Sequence, residues 1–422
     1  MRKGKLINME WMCDYNYFTD EEFDPIRTKL LQDQLDEAAS EGVNVVLGLW
    51  FLDGFLPIKR KDAFIKHIQD LKDYAASVGI NEFYIASGHG EDFEGLPVKH
   101  YFFDNVFRIC MNAYRNLMDR LPQEWDTTKE KALLLGGMPD RCNRIGLLAR
   151  LYEEGIVPDK VDHTFFPPWA PSDKVWCRDY IREIYPDWTD EKYEKFLVDC
   201  EKRVDDRYLT CMPWYGNYTT EEFDRPWYEV RETEWVKNPT LIDSRVYEDC
   251  LFDIVSEGPN YWGTGNYQFL TEKFWRCAMH RRPFILAGWP GQWDYLEQQG
   301  FKTFAEYLPI PHYGKIEDDE ERMKAVVVNA KYLLENRQHD EDIAKDVEFN
   351  FQKIIEKNEA QKTMWRHWHD DLCIDWWQLE ALIVNRIGYS DIIMNLPEEY
   401  LPDHLYNPTT DDPAERDYKK DE

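Results

Sequence analysis

Thr271, Glu272 and Lys273 open a helical stretch that ends at Arg281-Arg282-Pro283. A short apolar run, 284–287, then leads through a Gly288-Trp289-Pro290-Gly291 turn into another helix. These residue types suit a phosphorylated ligand. A helix N-terminus carries orphan N–H groups and a partial positive charge, which attract an anion such as a diphosphate. A first-turn Glu accepts hydrogen bonds from ribose or sugar hydroxyls, and the adjacent Lys neutralises phosphate charge. Taken singly, Thr271 is explained as an N-cap and Glu272 as an acid favouring the macrodipole. The combination points to a nucleotide-sugar site. A second carboxylate, Glu257, closes the apolar run 247–256 and is followed by the aromatic loop GPNYWGTGNYQ.

A cation stands upstream. The run 131–135 (KALLL) reads as a buried strand and passes through Gly136-Gly137-Met138-Pro139-Asp140 into a helix over about 141–154, closed by Gly155 as a C-cap. Arg144 falls near the first turn of that helix, where guanidinium and backbone amides together would grip a diphosphate through charge-assisted bonds.

The elements that position these residues alternate. Residues 20–40 have helical periodicity, 43–50 (VNVVLGLW) and 82–86 (EFYIA) are strands, and 61–78 and 105–121 are helical. Strands alternating with helices of this length indicate parallel, doubly wound sheets. Ligands bind beyond the carboxyl ends of such strands, which draws attention to Asp53, Ser87 to Glu91, and Asp104. Residues 122–130 form a polar linker. The Trp/Tyr/Pro-rich segment 167–247 reads as irregular apart from a helix near 189–203, and helices over 317–335, 340–357 and about 370–386 follow.

Composition bounds the class. With 422 residues the chain suits two domains of roughly 150–200 residues each. A net charge of −30, from 81 acidic against 51 basic residues, argues against a broad nucleic-acid-binding surface. The nine cysteines form no CxxC pair, which fits free thiols in a reducing cytoplasm. The basic N-terminus lacks an apolar core, and no apolar run is long enough to span a bilayer. The expectation is a cytoplasmic protein, in the host cytoplasm if the chain is viral. Residues 396–422 form an acidic, solvated end.

SEGPNYWGTGNYQFLTEKFW and the following RRPFILAGWPGQWDYLEQQGFKTF resemble the Glu/Lys-containing donor segment of GT-B glycosyltransferases, in particular fucosyltransferase-like enzymes and their phage or bacterial relatives. PDRCNRIGLLARLYEEGI resembles the Arg-bearing strand–turn–helix of the same group. The likeness covers residues 131–155 and 247–337. It implies an α/β, GT-B-like fold with two Rossmann-like domains facing a central cleft: an acceptor domain over 1–128 and a donor domain over 129–395, carrying an aromatic-rich insert at 167–245. It also implies that Arg144, Thr271, Glu272 and Lys273 contact a nucleotide-diphosphate sugar, with Glu257 lining the pocket.

Breaking the sugar–phosphate bond leaves a dianion that preorganised cations and helix N-termini stabilise, a role for Arg144 and Lys273. No strand ends in an Asp-x-Asp pair, so a metal-independent reaction is expected, with the nucleotide sugar as co-substrate and no cofactor. An inverting enzyme also needs a base on the acceptor hydroxyl. Asp53, His89, Glu91 and Asp104 qualify by position; Glu91 ranks first, with Asp53 beside it as the second catalytic candidate. The acceptor is a glycan or another hydroxyl, including a modified DNA base or a protein if the chain is viral.

Two other readings belong to different classes: a non-catalytic GT-B-like module that binds nucleotide or glycan, and a nucleotide-sugar epimerase. His367-Trp368-His369-Asp370 is not a metal site in this reading, because residues i and i+2 of a helix face different sides. The acidic run 317–322 opens a helix and needs no ion.

Overall fold

The computed structural model describes residues 2–9, 25–50, 61–87, 95–102, 104, 107, 111, 121–137, 142–165, 171–200, 247, 249–257, 270–375, 378 and 379. It is a mixed α/β structure with two four-stranded parallel sheets.

The first sheet orders β1 (Gly4–Asn8), β2 (Val45–Trp50), β3 (Glu82–Ser87) and β4 (His100–Phe102) side by side. Its side chains alternate between faces, as a pleated strand requires. Ile7, Val46, Phe83 and Ile85 pack with Leu31 and Leu35 of α1 (Pro25–Ser40) and with Phe64 and Ile68 of α2 (Lys61–Ser77). Leu6, Val45, Leu47, Leu49 and Ala86 form the other core, which is closed by residues more than 270 positions away: Trp365, Trp368, Leu372 and Ile374.

The second sheet contains β5 (Ala132–Gly137), β6 (Val161–Phe165), β7 (Phe252–Ser256) and β8 (Phe284–Ala287), in the spatial order β6-β5-β7-β8. From β5 the chain runs through α3 (Cys142–Glu153) to β6 on one side. α4 (Pro171–Ile184) and α5 (Asp190–Asp199) follow. From β7, on the other side of β5, it runs through α6 (Glu272–Met279) to β8 and then to α7 (Pro290–Gln298). Right-handed crossovers made in opposite directions put α3 and α6 on opposite faces. Their packing partners differ accordingly: α3 lies against α4 and α8 (Asp319–Glu335), and α6 lies against α9 (Asp340–Asp370).

α9 is 31 residues long and spans about 46 Å. Ile343, Val347 and Ile354, in its first half, belong to the core of the second sheet, whereas Trp365 and Trp368 cover the first. The chain then reaches the edge of β1. Gly4 N donates to Cys373 O at 2.9 Å and Leu6 N to Gln378 Oε1 at 2.8 Å. A Cβ on residue 4 would lie 2.2 Å from Leu372 O, so only glycine permits this approach.

Several expectations shift. The expected strand over 247–256 begins only at Phe252, because Tyr247 sits in a helical turn and its carbonyl accepts from Cys250 N at 3.4 Å. The expected helix over 340–357 continues to Asp370; no Gly or Pro interrupts it, and the two tryptophans anchor its end. α4 lies inside the stretch read as irregular. Residues 201–246, the tail 396–422 and, apart from Phe107, Met111 and Leu121, the helix expected over 105–121 lie outside the described residues. Among those described, no helix is long and apolar enough to cross a membrane.

Trp368 is fully buried and meets Tyr101 edge to face at 5.9 Å. Replacing it with Ala is expected to cost about 3–5 kcal/mol in urea unfolding. A loss below about 1 kcal/mol would show that the end of α9 does not hold the first sheet.

Candidate functional site at the ends of β5 and β7

β5 and β7 are neighbours, with Ala132 opposite Phe252 and Leu133 opposite Asp253. The chain leaves them toward opposite edges, and in open α/β sheets such a reversal leaves a crevice beyond the carboxyl ends, where ligands bind. The sequence-predicted donor residues gather at this edge. Arg144 is the third residue of α3 and is buried; Glu257 directly follows β7; Thr271 caps α6, and Glu272 and Lys273 are its first two residues. The side chain of Glu272 lies outside the described part of the structure.

The start of α6 is already furnished with partners. Thr271 N donates to both carboxylate oxygens of Glu257, at 3.1 and 3.2 Å, and Thr271 Oγ1 accepts from Lys273 N at 3.4 Å. Glu257 is fully buried, and its own N–H donates to Ala287 O at 3.1 Å. It therefore ties the ends of β7 and β8 to the α6 cap, using a carboxylate where the macrodipole favours one. The Lys273 ammonium lies 3.4 Å from Thr271 Oγ1.

Beneath this cap lies a polar layer that sequence reasoning did not single out. Asp253 is buried with neither carboxylate oxygen hydrogen-bonded among the described residues, and burial holds its carboxyl well above the usual range. Arg276 and Lys273 oppose that shift, and Glu257 adds to it. The Arg276 carbonyl accepts from His280 Nδ1 at 2.7 Å. Burial pushes that imidazole down to about 3, so it is neutral and stacks on Tyr247 at 4.2 Å. The one available signal was Asp253 itself, a charge inside an apolar strand.

The glycine-rich turn before α7 is built from within. Gln292 Oε1 accepts from Trp289 N at 2.8 Å, and a Cβ on Gly288 would lie 2.3 Å from that oxygen. The buried Arg322 donates from Nε to Gly288 O at 2.8 Å and from Nη1 to Ile316 O at 2.6 Å, with its guanidinium over the Trp289 ring. Asp318 caps α8 and Asp319 pairs with Arg322, which accounts for the acidic run.

Of the base candidates, Asp53, His89 and Glu91 lie outside the described residues. Asp104 is buried: it accepts from Phe107 N at 2.9 Å and pairs with Lys357 at 3.4 Å. Burial raises its carboxyl and Lys357 opposes the shift, so Asp104 serves this junction rather than an incoming hydroxyl. His367 Nε2 lies 3.2 Å from the Tyr101 hydroxyl, and its Nδ1 pairs with Asp371. His369 Nδ1 donates to Ile374 O at 2.8 Å. Among the described residues no group of three or more His, Cys, Asp or Glu side chains is arranged to hold a metal ion.

Comparison with protein-family models, with curated proteins and with solved structures yields no match to this chain. Function therefore rests on the site itself.

The Asp253 carboxyl, ordinarily near 3.8, is held higher in the folded state, which thus retains a proton that the unfolded chain releases. Stability is then lost as pH rises above about 4 toward the folded value. Asp253→Asn keeps the shape without this liability, so its stability relative to the parent should climb between pH 4 and pH 8 in urea titrations. A relative stability that is flat from pH 4 to pH 8, and falls only as pH rises toward about 4, would mean that the carboxylate is ionised and paired with Lys273 or Arg276.

Proposed function

We propose that the protein is a glycosyltransferase of the GT-B type, which binds a nucleoside-diphosphate sugar at the shared edge of β5 and β7. One observation carries this reading. The strand order reverses between β5 and β7, and Arg144 and Lys273 belong to the first turns of the helices that follow these strands. Two parallel sheets joined by α9 are compatible with paired Rossmann-like units, the second holding the donor.

Departure of the sugar leaves a nucleoside diphosphate carrying extra negative charge. Arg144, the amides at the start of α3 and the Lys273 ammonium offset that charge as it develops. These groups supply the positive charge the step needs, so the proposal invokes no metal ion. Glu272, the first residue of α6, takes hydroxyls of the ribose or sugar in this reading. A base in the chain that follows β2 or β3 in sequence, Glu91 first and Asp53 second, takes the proton of the acceptor hydroxyl. The acceptor is a glycan or another hydroxyl compound.

Calorimetry with GDP and UDP is expected to show binding that Arg144→Ala weakens at least about tenfold and Lys273→Ala by less, since Lys273 also answers Asp253 and Thr271. Unchanged affinity in both variants removes these residues from the site. Slow release of free sugar from a panel of GDP- and UDP-sugars separates a transferase from a non-catalytic binding module, which would bind without releasing any.

A further inference from the structure

β7 carries buried polar side chains on both of its faces near the sheet edge. Asp253 and Glu257 face α6, as the electrostatic reach of Lys273 and Arg276 to Asp253 and the Glu257–Thr271 bonds establish. Strand alternation turns Ser256 to the opposite face, together with Phe252 and Ile254. That is the face of α3 and of α8, which packs on α3 and on β8. Ser256 is only 1% exposed, and its Oγ, shielded from solvent, has no hydrogen-bond partner among the described residues. A buried hydroxyl left unpaired is rare enough in folded proteins to call for an explanation.

Its position supplies one. Beyond the last printed pair with β7, Leu133–Asp253, β5 passes a register irregularity against β6 and closes in Gly136 and Gly137, just before α3. On its other side Ser256 pairs with Ala287. Glycine and alanine have no polar side-chain atom, so neither flanking strand end answers the hydroxyl. The crevice is also asymmetric. At α6 the amides of Thr271 and Lys273 are taken, and the buried acids Glu257 and Asp253 lie behind them. The Glu257 carboxylate already occupies the Thr271 amide that an anion would use there. On the α3 side stand the start of a 12-residue helix, the Arg144 guanidinium and the unspent Ser256 hydroxyl.

We infer that Ser256 donates its hydroxyl to a phosphate oxygen of the nucleoside diphosphate, which lies on the α3 side of the crevice. This deepens the donor site proposed above and rests on that reading.

The test uses the full chain, with GDP, UDP and inorganic pyrophosphate as calorimetric probes against the parent, Ser256→Ala and Ser256→Thr. Ser256→Ala should bind each probe that the parent binds about tenfold more weakly, as loss of one hydrogen bond to a charged oxygen implies. Ser256→Thr, which keeps the hydroxyl, should recover part of that loss. The ligand-free thermal midpoint of Ser256→Ala should equal or exceed that of the parent, because no bond within the fold is removed. A lowered midpoint with undiminished affinity overturns the inference and makes the hydroxyl structural. Nucleotide binding equal in parent and Ser256→Ala removes Ser256 while leaving the donor reading intact. Pyrophosphate binding that Ser256→Ala weakens, with neither nucleotide bound, keeps the phosphate contact and removes the donor reading. A parent that binds none of the three removes both.

Discussion

β5 and β7 share a ladder of hydrogen bonds, yet the chain leaves them toward opposite edges of the sheet. A right-handed crossover then obliges their helices to lie on opposite faces. No helix can cover the gap between the two strand ends, so backbone amides and first-turn side chains border it from both sides. Arg144 comes from one face and Lys273 from the other. The site depends on this reversal; a sheet wound in one direction throughout, like the order β1-β2-β3-β4, provides no such meeting point among the described residues.

Around that edge a framework of buried arginines holds the loops. Arg322 gathers the carbonyls of Gly288, Ile316 and Glu317, and Arg282 reaches the carbonyl of Tyr247. Each guanidinium presents several donors in fixed directions, so one residue satisfies carbonyls from separate loops. Arg281 shows how far this goes. It adopts a left-handed backbone, φ 51°, at the end of α6, which costs a non-glycine residue about 1 kcal/mol or more. Its side chain offsets that cost by bonding Glu348 and the Pro122 carbonyl and by stacking 3.5 Å from the Phe351 ring centroid. Arg281 and Arg282 are an adjacent pair of guanidiniums. Here both members are bound into the protein.

α9 relates the two sheets. Its first turns belong to one core, its tryptophans to the other, and the Asp104–Lys357 pair lies between them. The Lys357 ammonium also rests over the rings of Phe102, Phe107 and Trp275, so a strand of the first sheet and helix α6 share one cation. The polar contact orients the junction, and the apolar contacts supply most of its free energy.

Local elements were legible wherever pattern is local. Apolar runs bounded by Gly and Pro marked β5 and β8, and the Thr271 cap marked the start of α6, because propensity and capping act over a few neighbouring residues. The resemblance also drew Arg144, Glu257 and Lys273 into one group. Tertiary structure decided the rest. It set the strand order β6-β5-β7-β8, gave Glu257 the Thr271 amide, buried Asp253 behind Lys273, and led α9 back to the first sheet. Each of these joins residues through space rather than along the chain. Such pairings follow from which apolar faces must be covered together, and no spacing in the sequence records that.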